Sequence, residues 1–135
     1  NIRQAERDAL RATEAHNTFL VDGRSQSEAA GPFLWLTKTD AVMECSVARS
    51  WFAFTAAHHD GYRPVRHSRM VLALAHDAWI IVDTLTGQDC THSYEHNLNL
   101  GEALHPRGIE GGWVLEEGAD PVATVLVSSM MLPRS

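Results

Sequence analysis

The residues best suited to chemistry in this sequence are histidines that stand beside strand-forming and turn-forming residues. His16-Asn17-Thr18 precedes an apolar triplet at 19–21, and Asp22-Gly23 follows that triplet. Aromatic and β-branched residues favour strands, whereas Asp-Gly is a turn signal. We therefore place His16 at the mouth of a short strand, where its side chain can face a cleft while the sheet holds its backbone. Such a position suits a ligand.

A second group combines an imidazole with a guanidinium. His67 and Arg69 share one face of a predicted strand, because successive side chains on a strand point to opposite faces. Positions two apart lie about 6.6 Å from each other, so the two side chains can bind one carboxylate or sulfate together. The alternative is that Arg69 pairs with an acidic neighbour such as Asp83. Both interpretations remain open.

The other histidine pairs are poorly spaced for a shared metal ion. His58 and His59 are adjacent and would point to opposite sides of a strand. His92 and His96 would chelate an ion on a helix, where residues four apart share a face. On the strand that the alternating pattern predicts, they stand about 13 Å apart. Neither pair is therefore expected to chelate.

The segment 58–64 contains Asp60-Gly61 and Pro64, which predict a turn-rich loop. Asp60 either stabilises that loop through an Asx turn or orients His59 from a second layer of contacts. Tyr62 is interpreted as a packing residue. The segment is thus expected to be a loop between two strands.

Strands dominate the predicted secondary structure. The two-residue period and the apolar runs predict strands at 19–21, 33–39, 42–48, 51–57, 67–74, 79–83, 90–100, 113–116 and 122–131. A hairpin is expected across 75–78 and a loop at 106–112. The sequence therefore predicts an all-β domain of two packed antiparallel sheets with few or no helices. The pattern alone does not distinguish a sandwich from a barrel.

The first fifteen residues are rich in Ala, Arg and Glu, which favour a short helix by propensity. Their apolar positions are sparse, so we expect this segment to be irregular or only briefly helical. Arg11 has two interpretations: its guanidinium points toward the His16 site as an anion contact, or it is a solvated surface arginine.

Composition excludes several classes of protein. The net charge of −6 and a single lysine, Lys38, argue against a nucleic-acid binder, whose affinity comes largely from basic residues. No apolar run approaches the roughly 20 residues that span a bilayer. Cys45 and Cys90 are too few and too far apart for a disulfide scaffold or a thiolate zinc module. A length of 135 residues suits a single domain over 1–135, and localisation is unconstrained.

Four blocks in order resemble the β-sheet domain of the heparinase II/III-like polysaccharide lyases. They are His16-Asn17-Thr18 with its apolar triplet, Asp22-Gly23 and Gln26; His59-Asp60-Gly61-Tyr62; His67-Ser68-Arg69 leading into Val71-Leu72; and Trp79 to Asp83 followed by Gly87. The resemblance covers roughly residues 11 to 105. It implies a supersandwich-like β domain and a chain that is the C-terminal part of a larger enzyme, since the helical toroid of that family has no counterpart here.

The resemblance also implies functional roles. His16 corresponds to a ligand of a divalent metal, usually zinc, whose other protein ligands come from a His-x-His-type motif and an Asp upstream, neither of which is present. We expect Arg11, Asn17, His67 and Arg69 to contact an acidic substrate. No catalytic residue is expected within the chain, because the catalytic tyrosine of the family lies in the toroid.

The expected function is therefore that of a lyase domain whose parent enzyme cleaves an acidic, uronate-containing polysaccharide by β-elimination. The main alternative is a noncatalytic β-sandwich that binds carbohydrate or another protein. A cupin-like metal enzyme using several of the eight histidines is a third alternative, but the strand spacings scatter those histidines.

Overall fold

The computed structural model describes residues 2–75, 77–87 and 91–130. These residues form one α-helix, one 3₁₀ turn and eleven strands, and every strand pairing is antiparallel. The all-β, sandwich-like fold predicted from the sequence is confirmed. The elements are α1 (Ile2–Arg11), the 3₁₀ turn Thr13–Ala15, β1 (Phe19–Val21), β2 (Glu28–Ala29), β3 (Trp35–Thr37), β4 (Val42–Ala48), β5 (Phe52–Tyr62), β6 (Val65–Leu74), β7 (Ala78–Thr86), β8 (Tyr94–His96), β9 (Leu104–Ile109), β10 (Gly112–Glu117) and β11 (Asp120–Leu126).

The chain divides into two compact units, Asn1–Leu98 and Asn99–Ser135. The largest sheet of the first unit has the order β4-β5-β6-β7, in which each strand pairs with its neighbour in sequence. Its β6–β7 hairpin begins at the pair Leu74↔Ala78, so the predicted turn across 75–78 is confirmed. Asp77 adopts φ 63 in this turn, a left-handed conformation that Asp tolerates better than most residues. The prediction of a single domain over 1–135 stays a prediction.

Strand β5 corrects the loop expected at 58–64. The strand continues to Tyr62, because His58 and His59 pair with Ser68 and His67 of β6. The turn itself is short and contains Arg63 and Pro64. The register shifts between His59 and Tyr62, as in a β-bulge, where one strand accommodates an extra residue and bends. The turn signals at 60–64 were therefore real, but they mark a bulge and a tight turn and not a long loop.

The small pair β1–β8 lies against the end of the large sheet. Val21, Tyr62 and Val65 form a buried cluster, and Leu85 packs against it. Leu20 is also buried, at 2% exposed. The predicted strand 90–100 was too long: within its described part only Tyr94–His96 is strand, while Cys90 lies outside the described residues. The apolar triplet after Thr18 thus anchors the His16 segment to the core.

The second unit is a three-stranded sheet of order β11-β10-β9. Its first strand, β9, occupies much of the loop predicted at 106–112. Proline disfavours strands because it cannot donate a hydrogen bond, but it is tolerated on an edge strand. Pro106 lies on β9, which has a paired neighbour on one side only, opposite Leu115 of β10. The loop prediction was wrong for this reason.

At the amino end, helix α1 occupies most of the segment expected to be irregular. The 3₁₀ turn after it is tied to the loop that follows β1. Thr13, 3% exposed, donates its N–H to the Ser25 hydroxyl at 3.2 Å and accepts the Gln26 N–H on its own hydroxyl at 3.0 Å. Helix propensity does not predict these tertiary contacts. They hold the end of α1 next to the His16 segment.

Within the described part of the chain, the single α-helix falls short of the length and apolar character needed to cross a membrane.

Candidate functional site

His16 lies between the 3₁₀ turn and β1, with an extended backbone at φ −125 and ψ 155. Its side chain is exposed. The His16 N–H donates to the Thr13 carbonyl at 3.0 Å, and the His16 carbonyl accepts the Thr18 N–H at 2.9 Å. Local backbone bonds therefore hold the residue while its imidazole faces solvent, as expected for a residue at the mouth of a strand.

The three carbonyls that follow His16 each accept a hydrogen bond from a different strand or its flank. Arg69 Nη1 of β6 donates to the Asn17 carbonyl at 2.7 Å. The Asn97 N–H, just after β8, donates to the Thr18 carbonyl at 2.9 Å. The Tyr62 hydroxyl at the end of β5 donates to the Phe19 carbonyl at 2.7 Å. The backbone beside His16 is thus fixed at three successive peptide units.

Arg69 itself is oriented by Asp83, its direct partner across β6 and β7. Arg69 Nε donates to Asp83 Oδ1 at 2.6 Å, and Nη2 donates to Oδ2 at 2.9 Å. This bidentate geometry is among the strongest that a carboxylate can form. The Asp83 side chain is 7% exposed. Of the two interpretations of Arg69 that the sequence left open, the ion pair with Asp83 is the one present in the structure.

His67 binds the same carboxylate. Its Nε2 lies 2.6 Å from Asp83 Oδ1, and the residue is 3% exposed. Burial by itself would raise the pKa of Asp83, but the hydrogen bonds from His67 and Arg69 outweigh it, so the pKa lies below its usual range. His67 and Arg69 do bind one carboxylate together, as their spacing predicted, and that carboxylate belongs to the protein.

His59 extends this arrangement by one more ring. The Gly61 N–H donates to His59 Nδ1 at 3.2 Å, so the proton of the neutral ring is on Nε2. His59 Nε2 lies 3.1 Å from His67 Nδ1 and donates to it. His67 then carries its proton on Nε2, which donates to Asp83. Each nitrogen of both rings therefore has one assigned role, and the direction of the chain of hydrogen bonds is fixed.

The pKa of His59 is lowered to about 4, mainly by burial and also by the electrostatic effect of the nearby His67. The charge of Asp60 acts in the opposite direction but is outweighed. Asp60 does not form the Asx turn considered above: its carboxylate binds Arg66, with Nε at 2.7 Å and Nη2 at 2.9 Å. His59 is accordingly neutral over the physiological range of pH.

Aromatic contacts close this cluster on the side of β1. The Phe19 ring stacks on His96, its partner across β1 and β8, with centroids 4.4 Å apart and planes at 5°. The same ring meets His67 edge-on at 5.9 Å. Burial lowers the pKa of His96 and raises that of the Tyr62 hydroxyl. The imidazoles here are packed against apolar rings, which favours their neutral forms.

Arg11 contacts the β2–β3 hairpin and its flank. Its Nη1 donates to the Gly31 carbonyl at 2.6 Å, and its guanidinium lies 4.0 Å from the centroid of the Trp35 ring. Weaker contacts reach the Pro32 and Leu34 carbonyls. Arg11 therefore ties the end of α1 to the β2–β3 hairpin. Of the predicted site residues, the structure brings Asn17, His67 and Arg69 together beside His16, while Arg11 makes these separate contacts.

Sequence reasoning missed the part played by His59, Tyr62 and His96 in this site. The position of His96 could have been found from the sequence. If the short strands β1 and β8 are paired antiparallel, His96 lies opposite Phe19. Nothing comparable pointed to His59, whose position depends on the bulge in β5.

A separate polar cleft of about 600 Å³ lies between the β2–β3 hairpin and the end of β5. Its basic residues are Arg24, Lys38 and Arg63, and its acidic residues are Glu28, Asp40 and Asp60. Lys38 pairs with Asp40 at 2.9 Å. Because the two signs of charge balance, the cleft does not have the excess of positive charge that would select a polyanion.

The donor set for a metal ion is incomplete in this chain. Among residues 2–75, 77–87 and 91–130, no group of three or more His, Cys, Asp or Glu side chains is arranged to hold a metal. An exposed imidazole on a fixed backbone fits the role of one ligand, whereas a zinc site normally needs three or four. His16 can therefore serve a metal site only if other residues complete it.

Comparison with known proteins gives one family. The model of the heparinase II/III-like C-terminal domain matches residues 2–129, which covers nearly the whole chain. No curated protein and no solved structure matches the chain significantly.

Proposed function

Because the chain belongs to the heparinase II/III-like family, of which it forms the C-terminal domain, we propose that it is the β-sheet part of a lyase acting on an acidic polysaccharide. The family match over residues 2–129 is the observation that carries this proposal. The arrangement around His16 supports it, since this block of the resemblance is held by hydrogen bonds to three successive carbonyls.

The reaction would be a β-elimination next to a uronate carboxylate. It requires that the carboxylate be neutralised, that a base remove the proton at C5, and that an acid protonate the leaving oxygen. None of the described residues is assigned the role of base or acid. We therefore assign these roles to a missing helical toroid domain, and this chain contributes support and one metal ligand.

His16 is the residue that we propose as a ligand of a divalent metal, most suitably zinc, which accepts imidazole nitrogen and carboxylate oxygen. When bound, such an ion would stabilise negative charge at the site. Asn17 is adjacent and exposed, and we propose it as a contact for substrate. The Arg69 side chain is 28% exposed and keeps a second N–H on Nη1 and on Nη2, so it can contact substrate while it binds Asp83. His67 is buried, and both of its ring nitrogens are engaged by Asp83 and His59, so its proposed contribution is to support the site.

The test of the lyase proposal uses the full-length protein and five uronate polymers: heparin, heparan sulfate, chondroitin sulfate, hyaluronan and alginate. We expect at least one of them to give unsaturated uronate products, measured by their ultraviolet absorbance, while residues 1–135 alone give none. Binding to a glycan without any turnover by the full-length protein would instead favour the noncatalytic carbohydrate-binding module.

The metal assignment has its own prediction. His16→Ala in the full-length protein should lower the zinc bound per chain after dialysis, because a site that loses one of three or four ligands binds much more weakly. His105→Ala is the control, since His105 is also an exposed histidine but lies on β9. Equal zinc contents in the wild type and the His16→Ala variant would refute the ligand role, whatever happened to the activity.

A further inference from the structure

The guanidinium of Arg69 is the only described side chain that joins the buried Asp83 to the backbone next to His16. Two of its nitrogens, Nε and Nη2, bind the carboxylate, and the third, Nη1, binds the Asn17 carbonyl at 2.7 Å. We propose that Arg69, oriented by Asp83, is a positioning residue that holds the backbone segment carrying His16. This inference rests on the proposed role of His16 as a metal ligand.

The geometry requires an arginine. A guanidinium is planar and presents donors in a rigid fork, so binding Asp83 through two nitrogens fixes the direction of the third. A lysine has one flexible ammonium and cannot hold both partners with a fixed angle. The orientation of Asn17, and with it that of the preceding residue, is therefore linked to the position of the Asp83 carboxylate.

Asp83 is itself held from the opposite side. His67 donates to Oδ1 at 2.6 Å, and His67 is in turn fixed by the His59 ring and, through it, by the Gly61 N–H. The carboxylate is 7% exposed and has little freedom to move toward solvent. The position of Arg69 is thus determined by hydrogen bonds that cross from β5 to β7.

Loss of Arg69 should loosen one peptide unit without releasing the whole segment. The Thr18 and Phe19 carbonyls keep their own donors, Asn97 and Tyr62. Residues that orient a metal ligand typically change the metal affinity by 10-fold to 100-fold when replaced. We expect an effect of this size on zinc binding, with the protein still folded.

The structure also offers a matched control. Arg66 lies on the same strand and binds Asp60 with the same fork, Nε at 2.7 Å and Nη2 at 2.9 Å. Across β6 and β7, Arg66 lies opposite Thr86, three residues along the strand from the pair of Arg69 and Asp83. Arg66→Gln and Arg69→Gln each remove a bidentate ion pair, although the Arg66–Asp60 side chains are 48% and 33% exposed and those of Arg69–Asp83 are 28% and 7% exposed. Only Arg69→Gln removes the contact beside His16.

The experiment compares the wild type, Arg69→Gln, Arg66→Gln and His16→Ala in the full-length protein. The zinc Kd is measured by competition with a chromophoric chelator, and hydrogen exchange of residues 16–19 is measured in the metal-free protein by mass spectrometry. We expect Arg69→Gln to raise the Kd by roughly 10-fold to 100-fold and to speed exchange in this segment. Arg66→Gln should change neither quantity.

Thermal unfolding of each variant shows whether it is folded at the temperature of the binding assay. Arg69→Lys provides a second variant that retains the charge; it should still bind zinc more weakly than the wild type if geometry is what matters. The inference is overturned if Arg69→Gln and Arg66→Gln have the same Kd and the same exchange rates while His16→Ala loses zinc. If His16→Ala keeps its zinc, the ligand role fails, and the inference that depends on it fails as well.

Discussion

At the scale of single residues, the central feature is a histidine that the fold keeps neutral. Protonation of His59 would place a second N–H on Nδ1, which already accepts the Gly61 N–H. It would also bring positive charge next to His67. Burial is the main reason that the pKa of His59 falls to about 4, and the electrostatic effect of His67 acts in the same direction. The ring therefore contributes to stability only while it is uncharged.

This predicts a loss of stability in mild acid. The unfolded chain protonates His59 near pH 6.5 and the folded chain only near pH 4, so the unfolded state binds more protons between these values and stability falls as the pH decreases. A shift of this kind removes about 1.4 kcal/mol per pH unit at most, and roughly 1 after allowance for partial solvent exposure. Urea unfolding at several pH values between 4 and 7 measures the slope.

His59→Gln should flatten that slope, because the titrating group is gone, whereas His105→Gln should leave it unchanged, since His105 is exposed. A His59→Gln variant that loses stability with the same slope as the wild type would show that other groups are responsible.

The ion pair of Arg69 and Asp83 could be predicted from the sequence, but the position of His59 could not. A hairpin turn at 75–77 fixes the register of β6 and β7 and places Arg69 opposite Asp83. The turn at 63–64 would by the same rule place Asp60 opposite His67. The bulge between His59 and Tyr62 shifts the pairing by one residue, and a one-residue shift moves each side chain to the other face. No residue pattern announced that bulge.

At the scale of elements, two turns use an aspartate in the left-handed region for different reasons. Asp22, at φ 54, follows β1, and its carboxylate accepts the Ser93 N–H at 2.9 Å and binds His92 Nδ1 at 2.7 Å. The hydrogen bond from His92 is the main reason that the pKa of Asp22 is lowered. Asp77, at φ 63, is exposed in the β6–β7 turn. The Asp22 carboxylate joins two segments of the chain, whereas the Asp77 carboxylate makes no such link among the described residues.

Replacement of each by glycine separates the backbone from the side chain. Glycine adopts positive φ readily at both positions. The backbone contribution to the change in the free energy of unfolding is therefore comparable in the two variants. Asp22→Gly should lower the free energy of unfolding by more than Asp77→Gly does, because it removes the hydrogen bonds that the Asp22 carboxylate makes with the Ser93 N–H and with His92. Asp77→Gly should stay within about 0.5 kcal/mol of the wild type, as expected for a surface change. Urea denaturation measures both, and equal costs would contradict the proposed difference.

Element boundaries were predictable where local pattern and tertiary pairing agree. The strands at Phe19–Val21 and Val42–Ala48 have the predicted bounds. The prediction failed where pairing overrides a local signal, as at Pro106 in the edge strand β9. It was also incomplete at the amino end, because the contacts of Thr13 and Arg11 that hold α1 and its flank come from residues 13 and 20 positions away.

At the scale of the whole chain, apolar pattern predicted which face a residue occupies but not what covers that face. Trp51, just before β5, is 62% exposed. Trp79 and Ile81 of β7 are 67% and 53% exposed. Coverage depends on packing partners that periodicity does not specify.

The three hydrogen bonds beside His16 also determine when, during synthesis and folding, this segment acquires its geometry. Phe19 and Tyr62 are 43 positions apart, Asn17 and Arg69 are 52 apart, and Asn97 follows later still. Contacts between such distant positions form late, since the intervening chain must first be closed into loops. During synthesis the His16 segment therefore leaves the ribosome long before its donors do. Its geometry is established only when β8 has been made and paired, so metal capture by the proposed ligand belongs to the folded protein and not to the nascent chain.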